Sequence, residues 1–371
     1  MKSIHIENFK CFRNQKIDFG EITVLAGGNS VGKSSVIQAI LLSRICLEKV
    51  QGVFVSGTFK PFNDDVKIPL NGVFSMSMGN SVEVLNRNAE DESIKFNFVN
   101  SVAESGGVSF FAPQKEDAGY SLRFNGFTGS RQFLDSIPLG KDQFYYLNAE
   151  RIGPRLRYEV EDTDYIHAGW NGELAIQVLG QHLFLPIPEG RCYNPNEPNQ
   201  LLTQARLWLD FITPGTRLDD ARIYSEIKTA EITLGNSRPT NVGFGLSYVL
   251  PILVNGLIAQ KGCLVIVENP EAHLHPMGQS NIGKFLAKIA NTGVQVIIET
   301  HSEHVINGIR LAALEGSIIH DRVQVNFFDR EEKSVRVVPI KLNEKADLTD
   351  WPLGFFDQQE KDLASIFRLK R

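Results

Sequence analysis

Residues 27–34 read GGNSVGKS, which matches the phosphate-binding pattern G-x-x-x-x-G-K-S at every fixed position. An apolar run at 22–26 precedes this loop, and apolar residues recur at helical spacing after it, as far as Leu47. A strand, a glycine-rich loop and a helix in this order are the context that the motif needs. Glycines let backbone N–H groups turn towards phosphates, and the helix N-terminus adds partial positive charge. The segment therefore predicts a binding site for a nucleoside triphosphate.

The polar residues of this loop have distinct predicted roles. We expect Lys33 to reach the β- and γ-phosphates and the Ser34 hydroxyl to bind Mg²⁺, so ATP and Mg²⁺ are the predicted cofactors. The predicted nucleotide contacts of the segment are Gly27, Asn29, Ser30, Gly32, Lys33, Ser34 and Ser35.

Two apolar runs in the last third of the chain predict parallel strands that are buried on both faces. The run at 263–267 leads into Glu268, and the run at 294–298 leads to His301. Because open α/β sheets bind ligands at the carboxyl ends of their strands, we expect Glu268 to hold Mg²⁺ and His301 to face the γ-phosphate. The predicted catalytic residues at these strand ends are Glu268, Asn269, Glu271 and His301.

A glycine-rich segment at 241–247 precedes a helix predicted at 248–259. Either Asn241 or Ser247 could cap that helix, and the glycines expose backbone N–H groups. The segment predicts a second anion site, formed by Asn241, Gly243, Gly245 and Ser247.

Composition sets the wider limits. The chain has 371 residues with 43 acidic and 38 basic side chains, a net charge of −5, so the overall charge neither requires nor excludes contact with DNA. Four scattered cysteines without a C-x-x-C pair, and no apolar leader, favour a reduced, cytoplasmic compartment. The most apolar stretch, at 248–259, is too short to span a membrane.

The pattern predicts an α/β fold with a mixed sheet, an antiparallel β lobe and a helical, loop-rich insertion. Short strands before the phosphate loop, including one at 22–24, are expected to pair antiparallel, and strand-sized pieces of the β lobe include 73–78 and 144–147. We divide the chain into an N-terminal ATPase lobe (1–152), an insertion (153–235), a C-terminal ATPase lobe (236–345) and a tail with a helix at 358–369 (346–371).

The order of these motifs resembles the ABC-type ATPase heads of the structural-maintenance-of-chromosomes (SMC) and DNA-repair group. The runs 148–155, 267–276 and 351–358 more closely resemble compact bacterial AAA/ABC-like ATPases related to the OLD family, in a subgroup with a C-terminal region of unknown function. The similarity covers nearly the whole chain. It is strongest at the phosphate loop and 267–276 and weakest at 50–235.

In that family two heads stack head to tail around ATP. The resemblance implies that the chain forms a homodimer or higher oligomer, that Gly243, Gly245 and Ser247 meet ATP in the other subunit, that 273–276 couples the two sites, and that His301 is a switch histidine. It also implies an ATP-driven switch in DNA repair or phage defence that acts with a separate effector such as a nuclease.

The sequence departs from the family pattern at Asn269, where ABC-type ATPases have a glutamate that polarises the attacking water. An amide cannot accept that proton, so either Glu271 replaces the glutamate or hydrolysis is slow. Glu150 and Arg151 are possible sensors of the γ-phosphate, with a structural salt bridge as the alternative.

Three other functions are open at this point. Asn269 favours a non-catalytic scaffold gated by ATP. The ATPase subunit of a membrane transporter is a further alternative, although the large insertion argues against it. A zinc site is the last possibility; its ligands would be His273, His275, His301 and His304.

Overall fold

The structure, a computed structural model, describes residues 1–55, 58–63, 65–235, 243–331 and 334–370, and only the backbone of Phe244. Its strands are β1 (Ser3–Phe9), β2 (Phe12–Asp18), β3 (Ile22–Gly27), β4 (Gly52–Val55), β5 (Thr58–Pro61), β6 (Lys67–Pro69), β7 (Ser93–Val99), β8 (Ser105–Phe111), β9 (Ser121–Thr128), β10 (Tyr145–Leu147), β11 (Tyr158–Glu159), β12 (Asp220–Tyr224), β13 (Thr229–Thr233), β14 (Leu264–Glu268), β15 (Gln295–Glu299), β16 (Val323–Glu331) and β17 (Ser334–Lys341). Its α-helices are α1 (Lys33–Lys49), α2 (Ser81–Val84), α3 (Arg131–Ser136), α4 (Ala175–Gln181), α5 (Leu201–Ile212), α6 (Phe244–Ile258), α7 (Pro276–Ala290), α8 (Glu303–Leu314) and α9 (Gln358–Leu369).

A six-stranded mixed sheet holds the phosphate loop. Its strand order is β10-β14-β15-β3-β16-β17, and every neighbouring pair is parallel except β16 and β17. The two parallel strands predicted at 263–267 and 294–298 are confirmed as β14 and β15. The carboxyl ends of β3, β14 and β15 therefore meet at one edge of this sheet.

Continuous apolar strands are explained by hydrophobic cores on both faces of the sheet, because successive side chains of a strand point to opposite faces. On β14, Val265 and Val267 belong to the core shared with α5, α6 and α7, whereas Leu264 and Ile266 belong to the core shared with α1 and the antiparallel lobe. Burial on both faces leaves the strand ends as the places where polar groups can meet a ligand.

The predicted antiparallel lobe is confirmed as a second six-stranded sheet, in the order β2-β1-β7-β8-β9-β6. Three expected members lie elsewhere: β3 and β10 belong to the mixed sheet, and β4 pairs with β5 in a separate two-stranded sheet. The strand expected at 73–78 is also wrong, because Val73–Ser75 forms a 3₁₀ turn. Gly72 and Phe74 have φ values of 91° and 53°, which a strand cannot accommodate. Phe74 instead packs on the ring of Trp170, 4.7 Å away.

Elements outside these two sheets also follow the sequence pattern, although several boundaries differ by two to four residues. The insertion has α4, α5 and the small sheet β11-β13-β12, and the tail helix is confirmed as α9. The helix expected at 248–259 begins at Phe244 as α6, so Gly245 and Ser247 lie inside it and Ser247 is not its cap. Among the described residues, no helix combines the length and apolarity needed to cross a membrane.

Candidate functional site

The phosphate loop joins β3 to α1, and two of its glycines are required by their surroundings. Gly27 has φ of 139°, and a Cβ there would lie 2.2 Å from the carbonyl oxygen of Phe328. Gly32 has φ of 101°, and a Cβ there would lie 2.7 Å from the Cys11 sulfur. Gly32 is also the N-cap of α1, so no side chain occupies the N–H groups of the first turn. N–H groups without a side-chain cap, together with the helix dipole, suit the loop to a bound anion.

Lys33 and Ser34, the first two residues of α1, face a single carboxylate on the neighbouring strand. The Lys33 ammonium donates hydrogen bonds to the carbonyls of Gly27 and Gly28, at 3.1 and 2.6 Å, and lies 3.8 Å from Glu299. The Ser34 hydroxyl lies 3.0 Å from both carboxylate oxygens of Glu299. Burial lowers the pKa of Lys33, while the charge of Glu299 opposes that effect.

Glu299 is a functional residue that the sequence analysis did not assign. It ends β15, and its side chain is 8% exposed. Burial, together with the negative charge of Glu268, raises its pKa to about 7, while Lys33 acts in the opposite direction. Its position at the end of an apolar strand could have marked Glu299 as a candidate for the site. The sequence does not show, however, which strand lies beside the phosphate loop.

Glu268, predicted to hold Mg²⁺, ends β14 and pairs in register with Glu299. The hydroxyl of Tyr146, on the outer strand β10, donates a hydrogen bond of 2.9 Å to its carboxylate. Burial raises the pKa of Glu268, and the hydrogen bond from Tyr146 opposes that effect. The structure thus brings the buried carboxylate of Glu299 and the partly buried carboxylate of Glu268 to the sheet edge beside the phosphate loop.

Asn269 and Glu271 follow β14, and both have defined contacts. Asn269 has φ of 44°, a left-handed conformation that asparagine tolerates better than most residues, and its N–H donates to the Glu299 carbonyl at 2.8 Å. The Glu271 carboxylate accepts one hydrogen bond from the Thr300 hydroxyl and one from the His301 N–H, both 2.7 Å long. Glu271 therefore holds the end of β15.

The side chain of His301 is exposed. Partial desolvation by the surrounding protein and the charge of Lys33 lower the pKa of the ring, whereas Glu271 acts in the opposite direction. A lowered pKa favours the neutral ring, which has one hydrogen-bond donor and one acceptor.

The start of α6 packs on the segment 273–276, predicted to couple two sites. A Cβ at Gly245 would lie 3.1 Å from the carbonyl oxygen of His273, and the ring of Tyr248 lies 4.6 Å from the His273 ring. The N-cap, Gly243, is exposed, and a Cβ there would meet no atom of the described residues within 4 Å. Asn241, the fourth predicted residue of this segment, lies outside the described residues.

Arg151 contacts both the end of β14 and helix α6. Its guanidinium is buried and donates hydrogen bonds to the backbone carbonyls of Glu268 and Asn269. It also lies over the ring of Tyr248, 5.5 Å from the centroid. Glu150, the other proposed sensor, is exposed. The contacts of Arg151 position backbone at the end of β14.

The oxygen-rich strand ends fit Mg²⁺, because the hydroxyl of Ser34 and the carboxylates of Glu268 and Glu299 are hard oxygen donors. Across the part of the chain that the structure describes, no group of three or more histidine, cysteine or acidic side chains could hold a metal such as zinc. The His275 side chain instead accepts a hydrogen bond from the Met277 N–H at 3.5 Å, as the N-cap of α7.

Comparison with known protein families gives two matches. A model of the AAA ATPase domain family matches residues 1–97 and 223–306. A model described as a protein of unknown function (DUF3696) matches residues 318–366. No curated protein sequence matches the chain.

Solved structures with a similar fold include SMC heads. One is the SmcHead bound to the C-winged helix domain of ScpA, with a TM-score of 0.52 and 13% identity over 92% of this chain and 98% of that chain. Another is an Smc head domain with an extended coiled coil, bound to the C-terminal domain of ScpA derived from Pyrococcus furiosus, with a TM-score of 0.51 and 11% identity over 100% and 99% of the two chains. The expected fold class, an ABC-type head, is confirmed. The chain thus has the fold of an SMC head, with segments similar to the AAA ATPase domain family and a C-terminal region similar to DUF3696.

Proposed function

We propose that this chain is a cytoplasmic switch that binds ATP with Mg²⁺, hydrolyses it slowly, and dimerises through its heads. The observation that carries the proposal is the position of Lys33 and Ser34 in front of a buried carboxylate, at the start of a helix whose first N–H groups have no side-chain cap. A cation, a hydroxyl and free backbone donors are what a nucleoside triphosphate and its Mg²⁺ require.

Slow hydrolysis is supported by the residues after β14. Asn269 offers no carboxylate, and both carboxylate oxygens of Glu271 already accept hydrogen bonds from Thr300 and His301. A general base must be free to accept a proton from the attacking water. The assembled, ATP-bound state would then last until slow hydrolysis ends it.

Head dimerisation is supported by the exposed start of α6. This 15-residue helix has Gly243 as its N-cap, and none of the residues that the structure describes caps it with a side chain, so its N-terminus presents backbone N–H groups and partial positive charge. We propose that it meets the ATP of a second copy, with Gly243, Gly245 and Ser247 at the contact.

The assembled heads would act on a separately encoded effector such as a nuclease, with or without DNA, in DNA repair or phage defence. The SmcHead of the matched structure binds a C-winged helix domain of ScpA. A partner that docks on the head of this chain is therefore part of the proposal.

Two measurements on the purified protein test the proposal. Calorimetry should detect ATP binding in the presence of Mg²⁺, and light scattering should show a mass that doubles or increases further when a non-hydrolysable ATP analogue is added. Absence of ATP binding would contradict the proposal as a whole. Binding at constant mass would contradict only the head dimer.

A non-catalytic scaffold gated by ATP is the second candidate, and Asn269 is the observation that favours it. Single-turnover assays with radiolabelled ATP separate the two. Phosphate release over minutes to hours supports the slow ATPase, whereas ATP-dependent assembly without any release supports the scaffold.

A further inference from the structure

The cluster formed by Ser34, Lys33 and Glu299 suggests which carboxylate serves the metal. The sheet order places β15 between β14 and β3, and Glu299 pairs in register with Glu268 on one side and with Leu25 on the other. Because neighbouring strands lie about 4.8 Å apart, Glu299 begins one strand nearer to the phosphate loop than Glu268 does.

The side-chain contacts of the two acids point in opposite directions along the sheet. Both oxygens of Glu299 lie 3.0 Å from the hydroxyl of Ser34. The carboxylate of Glu268 instead accepts a hydrogen bond from Tyr146 on β10, the outer strand on the far side of β14. Only Glu299 is therefore in contact with the residue expected to bind Mg²⁺.

The charge around Glu299 favours a cation beside it. Glu268 and Glu271 both add negative charge to its surroundings, and Lys33 is the positive group that acts on it. The Lys33 ammonium is 3.8 Å away and gives its hydrogen bonds to the carbonyls of Gly27 and Gly28. A bound nucleotide would recruit Lys33 to its phosphates, which leaves the carboxylate to a divalent cation.

We propose that Glu299, rather than Glu268, is the carboxylate that receives Mg²⁺ next to Ser34 when ATP binds. The inference rests on the proposed ATP-binding function and assigns its metal site. Glu268 then holds β10 at the edge of the sheet through its hydrogen bond from Tyr146, and its negative charge acts on the metal site from a longer distance. Carboxylate and hydroxyl oxygens are the donors that Mg²⁺ prefers, usually one or two carboxylates together with phosphate oxygens.

The test measures ATP binding by calorimetry in EDTA and over a Mg²⁺ titration, in the wild type, E299Q and E268Q. We expect Mg²⁺ to increase the ATP affinity of the wild type. In E299Q this increase in affinity should be at least about 10-fold smaller, which is the usual effect of removing a group that supports a metal site. In EDTA, E299Q should bind ATP as well as or better than the wild type, since it removes a negative charge near the phosphates. E268Q should lose less of the Mg²⁺ effect than E299Q.

Two further variants keep the result interpretable. E299D retains the charge and should recover part of the Mg²⁺ effect, while E21Q, at the opposite end of β3 beside Arg322, should behave as the wild type. Normal metal-free ATP binding by E299Q shows that it is folded. A full Mg²⁺ effect in E299Q, even with lost turnover, or a larger loss in E268Q, would overturn the assignment. No ATP binding by the wild type would instead reject the proposed function.

Discussion

The carboxylate of Glu271 accepts a hydrogen bond from the hydroxyl of Thr300 at 2.7 Å. Its other oxygen accepts a hydrogen bond from the backbone N–H of His301, also at 2.7 Å. The segment after β14 is thereby tied to the end of β15, and Glu271, the first acid after Asn269, has a structural role. This relationship bears directly on which group, if any, activates water.

We expect E271Q to change the turnover number by less than about 10-fold, well below the 10²- to 10⁴-fold loss typical of a general base. N269E should raise hydrolysis, because it restores a carboxylate beside the γ-phosphate. The left-handed backbone at Asn269 should cost that variant about 1 kcal/mol of stability. Single-turnover phosphate release checks both. Loss of activity in E271Q without a gain in N269E would show that Glu271 is the base.

Replacement of Lys33 by alanine should weaken ATP binding by at least about 100-fold, because it removes the cation that the loop offers to the phosphates. The matched control is K16A, which removes an exposed lysine paired with Asp18. Calorimetry with Mg²⁺ compares the two. Equal affinity of K33A and K16A for ATP would refute the nucleotide site.

Gly243→Arg tests the head dimer. A Cβ at Gly243 meets no atom of the described residues within 4 Å, so we expect the variant to fold and bind ATP as a monomer, whereas its arginine would obstruct a second copy at the start of α6. Gly119→Arg is the control, since a Cβ there also has open space. Light scattering with a non-hydrolysable ATP analogue should show association of the control and not of Gly243→Arg. Association of both would exclude α6 from the interface.

Arg151→Ala should destabilise the fold by about 2–4 kcal/mol, because it leaves the carbonyls of Glu268 and Asn269 without their buried, charged donor. Arg151→Lys should recover only part of that loss, since an ammonium cannot reproduce the planar fork of a guanidinium. Chemical denaturation of the nucleotide-free protein measures both. A loss below about 0.5 kcal/mol in the alanine variant would show that these hydrogen bonds contribute little.

Much of the architecture could be predicted from local patterns. Strands β14 and β15 are buried on both faces and therefore appear as continuous apolar runs. The tail helix α9 has its predicted bounds, because its apolar residues keep a helical period. The start of α6 was predicted four residues late, since glycines at 243 and 245 suggested a loop, although Gly245 packs closely on His273 within the helix.

The sequence by itself determined the phosphate loop, because glycines, lysine and serine act there at fixed spacing within one short segment. It also determined that the strand at 264–268 ends in an acid. Only the tertiary structure decided that Glu299 faces Ser34, a residue 265 positions away in the chain. The physical reason is strand order: hydrogen bonding between parallel strands places β15, and not β14, beside β3, and no local pattern of side chains encodes which strands become neighbours.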